Sequence, residues 1–296
     1  MTENEIVRLE GVTQSYHHSK VALNGVSVTL DRGRVYGLLG RNGAGKTTLL
    51  RLIAGLEAPT SGSVQIFGRD PLESQEALDR TATVREDQRW PGGYSLDRAM
   101  KDAERFFPSW DGRRAQELAG RFHVPLNTPV ARMSRGQRSA AGIVLGLAAG
   151  SELLLLDEPY AGLDTTAREI FHDELLASLQ DDRTVVFSTH LVDEAAPLLD
   201  RVLLLVDGRL VIDDDADVLR GSAHSVSGPR DAVERATAGL PALRSSLLGG
   251  HLNRTVRGAP SPEWLSGVRA AGLTVEGVSL QRLVTLLSET EEEVVR

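Results

Sequence analysis

Residues 40–47 read GRNGAGKT and fit the spacing G-x-x-x-x-G-K-[ST]. The chemistry this spacing serves is phosphate binding. Glycines let backbone N–H groups curl around phosphate oxygens, Lys46 reaches the β- and γ-phosphates, and the Thr47 hydroxyl is placed for Mg2+. A helix starting at the loop would add the partial positive charge of its N-terminus. Lysine is scarce here: only Lys20, Lys46 and Lys101 among 33 Lys and Arg residues. A second group lies in LLLLDE. Asp157 closes an apolar run, and a carboxylate at the end of a parallel core strand can hold Mg2+ through water. Glu158 follows, where a general base would activate water. Alone, two carboxylates at a strand end read as a solvated surface; beside a phosphate loop they read as metal acid and base. His190 follows the strand TVVFST and could approach the γ-phosphate from the far side, although a single strand-end histidine is often structural. A third group, MSRGQRSAAG at 133–142, sets Ser134, Gly136 and Gln137 at the start of an apolar helical stretch with no obvious partner nearby.

The elements that must position these groups alternate between strand and helix. IVRLEGVTQSY and VALNGVSVTLDRG read as strands, and RVYGLLG as a short apolar strand feeding the glycine loop. GKTTLLRLIAGL carries Leu49, Leu52, Ile53 and Leu56 at helical spacing. APTSGSVQIFGRD is a turn and strand, and residues of about 71–135 are charged and helical in pattern. ELLLLDEP is apolar without alternation, as in a parallel strand covered on both faces. RTVVFSTH and RVLLLVDGRLV are further strands. The order predicts an α/β domain with a mostly parallel core sheet, N-terminal antiparallel strands and a helical subdomain at about 88–148. Composition shifts near DDDADVLRGSAHSVSGP, which sets an expected boundary at 221. Residues 222–296 read strand (223–227), helix (231–238), strand (243–248), strand (251–257), helix (262–271), strand (273–278), helix (280–289). This small α+β order is that of a ferredoxin-like split unit.

Composition narrows the function. A net charge of −8 argues against nucleic-acid binding by bulk attraction. Cysteine is absent, which removes a disulfide framework and a thiolate metal site and fits a reducing compartment. The start, MTENEIVRLEG, lacks the basic and apolar regions of a signal peptide. The longest apolar run, 140–150, is shorter than the roughly 20 residues a membrane span takes.

GRNGAGKT, SRGQ, LLLLDEP, AGLD and STH stand in that order, and the set resembles the ATP-binding subunit of ABC transporters over about residues 5–220. The stretch FFPSWDGRRAQELAGRFHVPLNTPVARMSRGQ is similar to the YtrB-like branch of exporter ATPases, and GVSLQRLVTLL to the C-terminal element of many exporter-type ATPases. The resemblance implies a P-loop NTPase fold, with ATP and Mg2+ as cofactors. It implies an ATPase that dimerises on ATP with a second ABC ATPase subunit, as a homodimer or a heterodimer. Together they would power a separate transmembrane permease, with export the expected direction and a place at the cytoplasmic face of the membrane. Gly40, Asn42, Gly43, Gly45, Lys46, Thr47 and Thr48 become the phosphate loop, Asp157 the metal acid, Glu158 the base, Ala161 to Asp164 the loop joining two sites, and His190 the switch histidine. Ser134, Gly136 and Gln137 would face the partner's ATP, which gives the third group its partner. Tyr16 lies where an aromatic ring stacks on adenine.

Three positions depart from the family pattern. Arg135 replaces a glycine of the signature. Tyr160 stands where a small hydroxyl residue is common. Glu86 takes the register of a glutamine that reaches Mg2+, with Gln88 the alternative two residues on. Trp90, Tyr94, Phe106, Phe107 and Trp110 hold five of the thirteen aromatic residues, and most are expected in the helical subdomain's own core, with Trp90 and Tyr94 in a permease groove. Two other readings fit the motifs: a soluble ABC ATPase acting on DNA or ribosomes, and a nucleotide-gated scaffold with little hydrolysis. The single motif set and the absence of a long heptad run weigh against the first, and Glu158 against the second.

Overall fold

The computed structural model describes residues 2, 4–16, 20–179, 182–258 and 261–295. The chain forms two compact units, one of residues 1–190 and 198–213, the other of 191–197 and 214–296.

The first unit opens with β1 (Glu5–Tyr16), β2 (Lys20–Asp31), β3 (Val35–Leu39), α1 (Lys46–Ile53), β4 (Ser61–Ile66), α2 (Gln75–Asp79) and β5 (Thr81–Val84). It continues through α3 (Leu96–Phe106), α4 (Gly112–Arg121), α5 (Arg135–Ala148), β6 (Leu153–Asp157), α6 (Thr165–Ser178) and β7 (Thr184–Thr189). After α7 (Val192–Ala195), which belongs to the second unit, come β8 (Arg201–Val206) and β9 (Arg209–Asp215). β2, β1 and β4 form an antiparallel sheet in that order. The larger sheet runs β5-β6-β7-β3-β8-β9, and β5, β6, β7, β3 and β8 are parallel. Every residue of β3, β6 and β7 is buried, so their apolar runs do not alternate: both faces are covered. Parallel pairing brings Leu39 opposite Thr189 and Asp157 opposite Ser188, so the ends of β3, β6 and β7 share one edge of the sheet. Ligands of such sheets bind at that edge.

α1 is fixed between the sheets. Its Leu49, Leu50, Leu52 and Ile53 share one core with Ile6 and Leu9 of β1 and with Leu38, Leu155 and Val186 of the parallel strands. Each such burial stabilises by roughly 1.5–3 kcal/mol, which holds the start of α1 where the glycine loop delivers it. At the opposite edge, Glu152 gathers two arginines. Arg80 donates to it from Nε (2.6 Å) and Nη2 (2.9 Å), and Arg32 ion-pairs with its second oxygen. The Arg80 bonds first, and Arg32 after them, hold the Glu152 carboxyl at about 2 against the opposing effect of burial. A lowered folded value means stability present above the ordinary carboxylate range and lost as pH falls from there toward 2. The side chain is 38% exposed, so screening limits the contribution to about 1 kcal/mol. Glu152→Gln is therefore expected to be less stable than the parent at pH 7 by that amount, with the gap closing toward pH 2. Urea unfolding at both pH values checks this, and a gap that stays constant contradicts it.

The helices of the middle segment build a core from small and aliphatic side chains, including Leu96, Met100, Leu118, Val130, Ile143 and Val144. The aromatic cluster does not form it. Phe106 is 71% exposed, and Trp90, Tyr94, Phe107 and Trp110 are only half-buried. α3 and α4 turn alanines inward at Ala99, Ala103, Ala115 and Ala119, and the buried ring of this segment is Phe122, directly after α4. Arg114 and Arg121 of α4 both pair with buried Glu174 of α6, which pins this segment to the rest of the unit.

The second unit holds α8 (Ala216–Arg220), β10 (Ala223–Pro229), α9 (Arg230–Ala236), β11 (Ala242–Leu248), β12 (His251–Arg257), α10 (Pro262–Ala270), β13 (Thr274–Gly277) and α11 (Leu280–Val295). Its antiparallel sheet has the order β11-β12-β10-β13, and the chain runs β-α-β-β-α-β before α11. That is the ferredoxin-like split unit. Val226, Val233, Leu252, Val268 and Leu273 are its core. The unit begins at Asp214 and takes in 191–197 as well, where Asp193 accepts from Ser279 Oγ (3.3 Å) and from the Gln281 N–H (3.2 Å). The composition shift at 213–229 covers this start, while the inclusion of 191–197 leaves no mark on composition, because it depends on contacts between segments distant in the chain.

Candidate functional site

The turn from β3 into α1 makes a cradle. Gly45 sits at φ +108°, and a Cβ there would lie 2.5 Å from the Ala22 carbonyl oxygen, so only glycine brings the loop this close. α1 has no side-chain cap and no acidic residue in its first turn. The N–H groups of its first turn are thus not capped by a side chain of the helix itself. Lys46 is 7% exposed and folds back over the loop, its Nζ donating to the carbonyls of Gly40 (2.9 Å) and Arg41 (3.4 Å).

Around this loop lies an open cleft of ≈ 390 Å3, lined by Tyr16, Ala22, Asn42, Gly43, Gly45, Lys46, Thr47, Thr48, Glu86 and Glu158. Glu158 is 12% exposed and lies 3.6 Å from Lys46 Nζ, and its other oxygen is 2.8 Å from His190 Nδ1. Its backbone is at φ +49°, a region side chains rarely adopt. Ser188, two residues before His190 on β7, holds both acidic residues: its hydroxyl donates to Asp157 Oδ1 (2.7 Å) and accepts from the Glu158 N–H (2.9 Å). Sequence reasoning passed over Ser188, although its place opposite Asp157 in a parallel pair was the available signal. Tyr160 anchors the next turn, with its ring edge-on to Phe171 and Phe187 and its hydroxyl 2.8 Å from His172 Nε2. Tyr16 closes the cleft at the end of β1, and its hydroxyl donates to Glu57. Burial first, and then that neighbour, push the Tyr16 phenol up.

Glu86 lies in the cleft and Gln88 does not; Gln88 lines a neighbouring cavity with Trp90, Arg135 and Arg138. Among the described residues, no group of three or more His, Cys, Asp or Glu side chains is arranged to hold a metal by itself. A cation at Thr47 and Asp157 would have to share its shell with phosphate oxygens and water, and this is the coordination Mg2+ favours. The donor set therefore fits Mg2+ arriving with a nucleotide.

Ser134, Gly136, Gln137 and Asp164 are elsewhere. They line a second cleft with Gly162 and Leu163 that shares no residue with the first. Ser134 caps α5: its hydroxyl accepts from the Gln137 N–H (3.2 Å), and Gln137 Oε1 accepts from the Ser134 N–H (3.1 Å). This capping box leaves the Ser134 hydroxyl proton free to be donated. Gly136 packs so close to the neighbouring turn that a Cβ would lie 2.4 Å from the Gly162 carbonyl oxygen. Asp164 caps α6 by accepting from the Ala167 N–H (2.8 Å). One chain thus holds a phosphate cradle and, apart from it, a polar helix start.

A family model described as ABC transporter matches residues 23–161. The chain is 37% identical to the phosphonates import ATP-binding protein PhnC 1 of Natronomonas pharaonis, over 72% of this chain and 95% of that one. It is 34% identical to the Nod factor export ATP-binding protein I of Rhizobium johnstonii, over 69% and 68%. The chain belongs to the ABC transporter family, as an ATP-binding subunit. Membership makes it an ATPase. Its fold is that of a solved ATP binding subunit of an ABC transporter (TM-score 0.67, 24% identity, 73% of this chain and 92% of that one). The same fold occurs in a dimeric ATP-binding cassette in a post-hydrolysis state bound to ADP and Pi (TM-score 0.63, 23% identity, 71% and 99%). Among the described residues of this ABC subunit, no helix is long and apolar enough to cross a membrane.

Proposed function

We propose that this subunit hydrolyses ATP between two copies of its own kind and passes the resulting motion to a separate transmembrane permease. The observation that carries the reading is the separation of the two clefts within one chain. The glycine loop lines one cleft and the polar start of α5 the other, and two chains packed head to tail would set that start against the partner's loop. Tyr16 then stacks on the base, Lys46 and the free end of α1 hold the phosphates with Asn42 and Thr48, and Ser134 and the Gly136 N–H reach the partner's γ-phosphate. Thr47, Asp157 through water, and Glu86 are the oxygens available to Mg2+. When bound, the cation neutralises phosphate charge. Glu158 accepts the proton of the attacking water, and His190 orients that carboxylate. Asp164 and its turn connect one cleft to the other.

The relatives include proteins named for import and for export, so export rests on the resemblance of FFPSWDGRRAQELAGRFHVPLNTPVARMSRGQ and GVSLQRLVTLL to exporter ATPases. The same reading puts the chain at the cytoplasmic face of the membrane. Its test uses the purified chain. Specific ATPase activity is expected to rise with chain concentration, and Ser134→Arg to abolish turnover while fluorescent-ATP binding to the monomer persists. Concentration-independent turnover that survives Ser134→Arg would overturn the two-chain site.

A further inference from the structure

Glu86 and Arg135, unrelated in sequence, form an ion pair within one chain. Glu86 stands in the turn after β5 and borders two spaces at once: the phosphate cleft, and the cavity that it shares with Arg135. Arg135 is the first residue of α5, directly after the capping Ser134. The next residue, Asp87, is pulled the other way. Its Oδ2 accepts from Arg51 Nη2 (2.7 Å), and Arg51 belongs to α1, the helix that starts at Lys46. The turn is therefore strapped between the phosphate-loop helix and the signature helix. Asp87 supplies the tie on one side and Glu86 the tie on the other.

We infer that Arg135 is the resident counter-ion of Glu86 and competes with the cation that enters the cleft with ATP. The inference rests on reading the cleft as an ATP–Mg2+ site. The guanidinium on Oε1 draws charge from the carboxylate, so Glu86 paired with Arg135 is a poorer oxygen donor to a metal, and metal and arginine each weaken the other's hold on it. Arg135 thus acts through Glu86, as a positioning residue, and sets how much nucleotide affinity depends on metal. The pair is open to solvent, 43% exposed at Glu86 and 64% at Arg135, so its effect is that of a surface ion pair.

The probe is Mn2+. Affinity for a fluorescent, non-hydrolysable ATP analogue is measured with EDTA and with Mn2+, at chain concentrations where light scattering reports monomer. The ratio of the two affinities is the readout. Arg135→Ala is expected to raise this ratio about three- to fivefold, the scale of an exposed ion pair, and to leave the EDTA value unchanged. Arg135→Lys should keep the parent ratio. In a Glu86→Gln background, Arg135→Ala should change nothing. An equal change with EDTA and with Mn2+, no change, or the same change in the Glu86→Gln background would overturn the inference. Loss of analogue binding by the parent chain in both conditions would instead remove the ATP-site reading, and the inference with it.

Discussion

Lys46→Ala is expected to bind a fluorescent ATP analogue at least about a hundredfold more weakly than the parent chain, with turnover lost. Lys46 is buried at the mouth of α1 with its Nζ against the Gly40 carbonyl, 2.9 Å away. In the proposed ATP complex the ammonium would donate to the β- and γ-phosphates. Two hydrogen bonds from a charged donor contribute about 1.5–3 kcal/mol each, which sets the scale of the loss. The substitution also leaves Glu158 without the cation 3.6 Å from it, so the cleft becomes more repulsive to phosphate. Circular dichroism shows whether the variant keeps its fold. A folded Lys46→Ala chain with parent-like affinity contradicts the assignment of the loop.

The glycine-rich turn from β3 into α1 was legible in the sequence because its pattern is local. The glycines, Lys46 and Thr47 are contiguous, and the strand before and helix after them announce themselves by apolar pattern. The parallel sheet was legible for a similar reason: strands covered on both faces cannot alternate. What sequence did not carry are properties set by neighbours distant in the chain. Ser188 matters through its pairing opposite Asp157, which is a matter of strand register. The aromatic cluster between 90 and 110 looked like a core by composition, yet the inward positions of α3 and α4 are held by Leu96, Met100, Leu118 and alanines. The Glu86–Arg135 pair joins residues far apart in sequence, each of which seemed a separate departure from the family pattern. That residues 191–197 join the second unit was hidden, because they reach it across the chain. The separation of the two clefts is likewise a fact of three dimensions, and only the family resemblance pointed to a partner for Ser134.

Glu158→Gln is expected to lower turnover by about 10²–10⁴-fold while ATP binding persists. The amide keeps the shape of the side chain and can still bond to His190, now 2.8 Å from the carboxylate, but it cannot accept the proton of the attacking water. It also removes the negative charge nearest Lys46, so the phosphates gain an undivided cation. ATP then stays intact, and the contacts of Ser134 and Gly136 with the partner's phosphate persist instead of ending with cleavage. Binding free energy otherwise released on hydrolysis holds two chains together.

Light scattering on that variant tests the two-chain site most directly. At saturating ATP, Glu158→Gln should elute at twice the 32.0 kDa mass of the chain. The double variant Glu158→Gln, Ser134→Arg should remain at 32.0 kDa, because a bulky cationic side chain replaces the hydroxyl that must meet the partner's γ-phosphate, while ATP still binds through Tyr16 and the Lys46 loop of its own chain. A double variant that dimerises as readily as Glu158→Gln would contradict the account: the start of α5 would then have no part in clamping the partner's ATP.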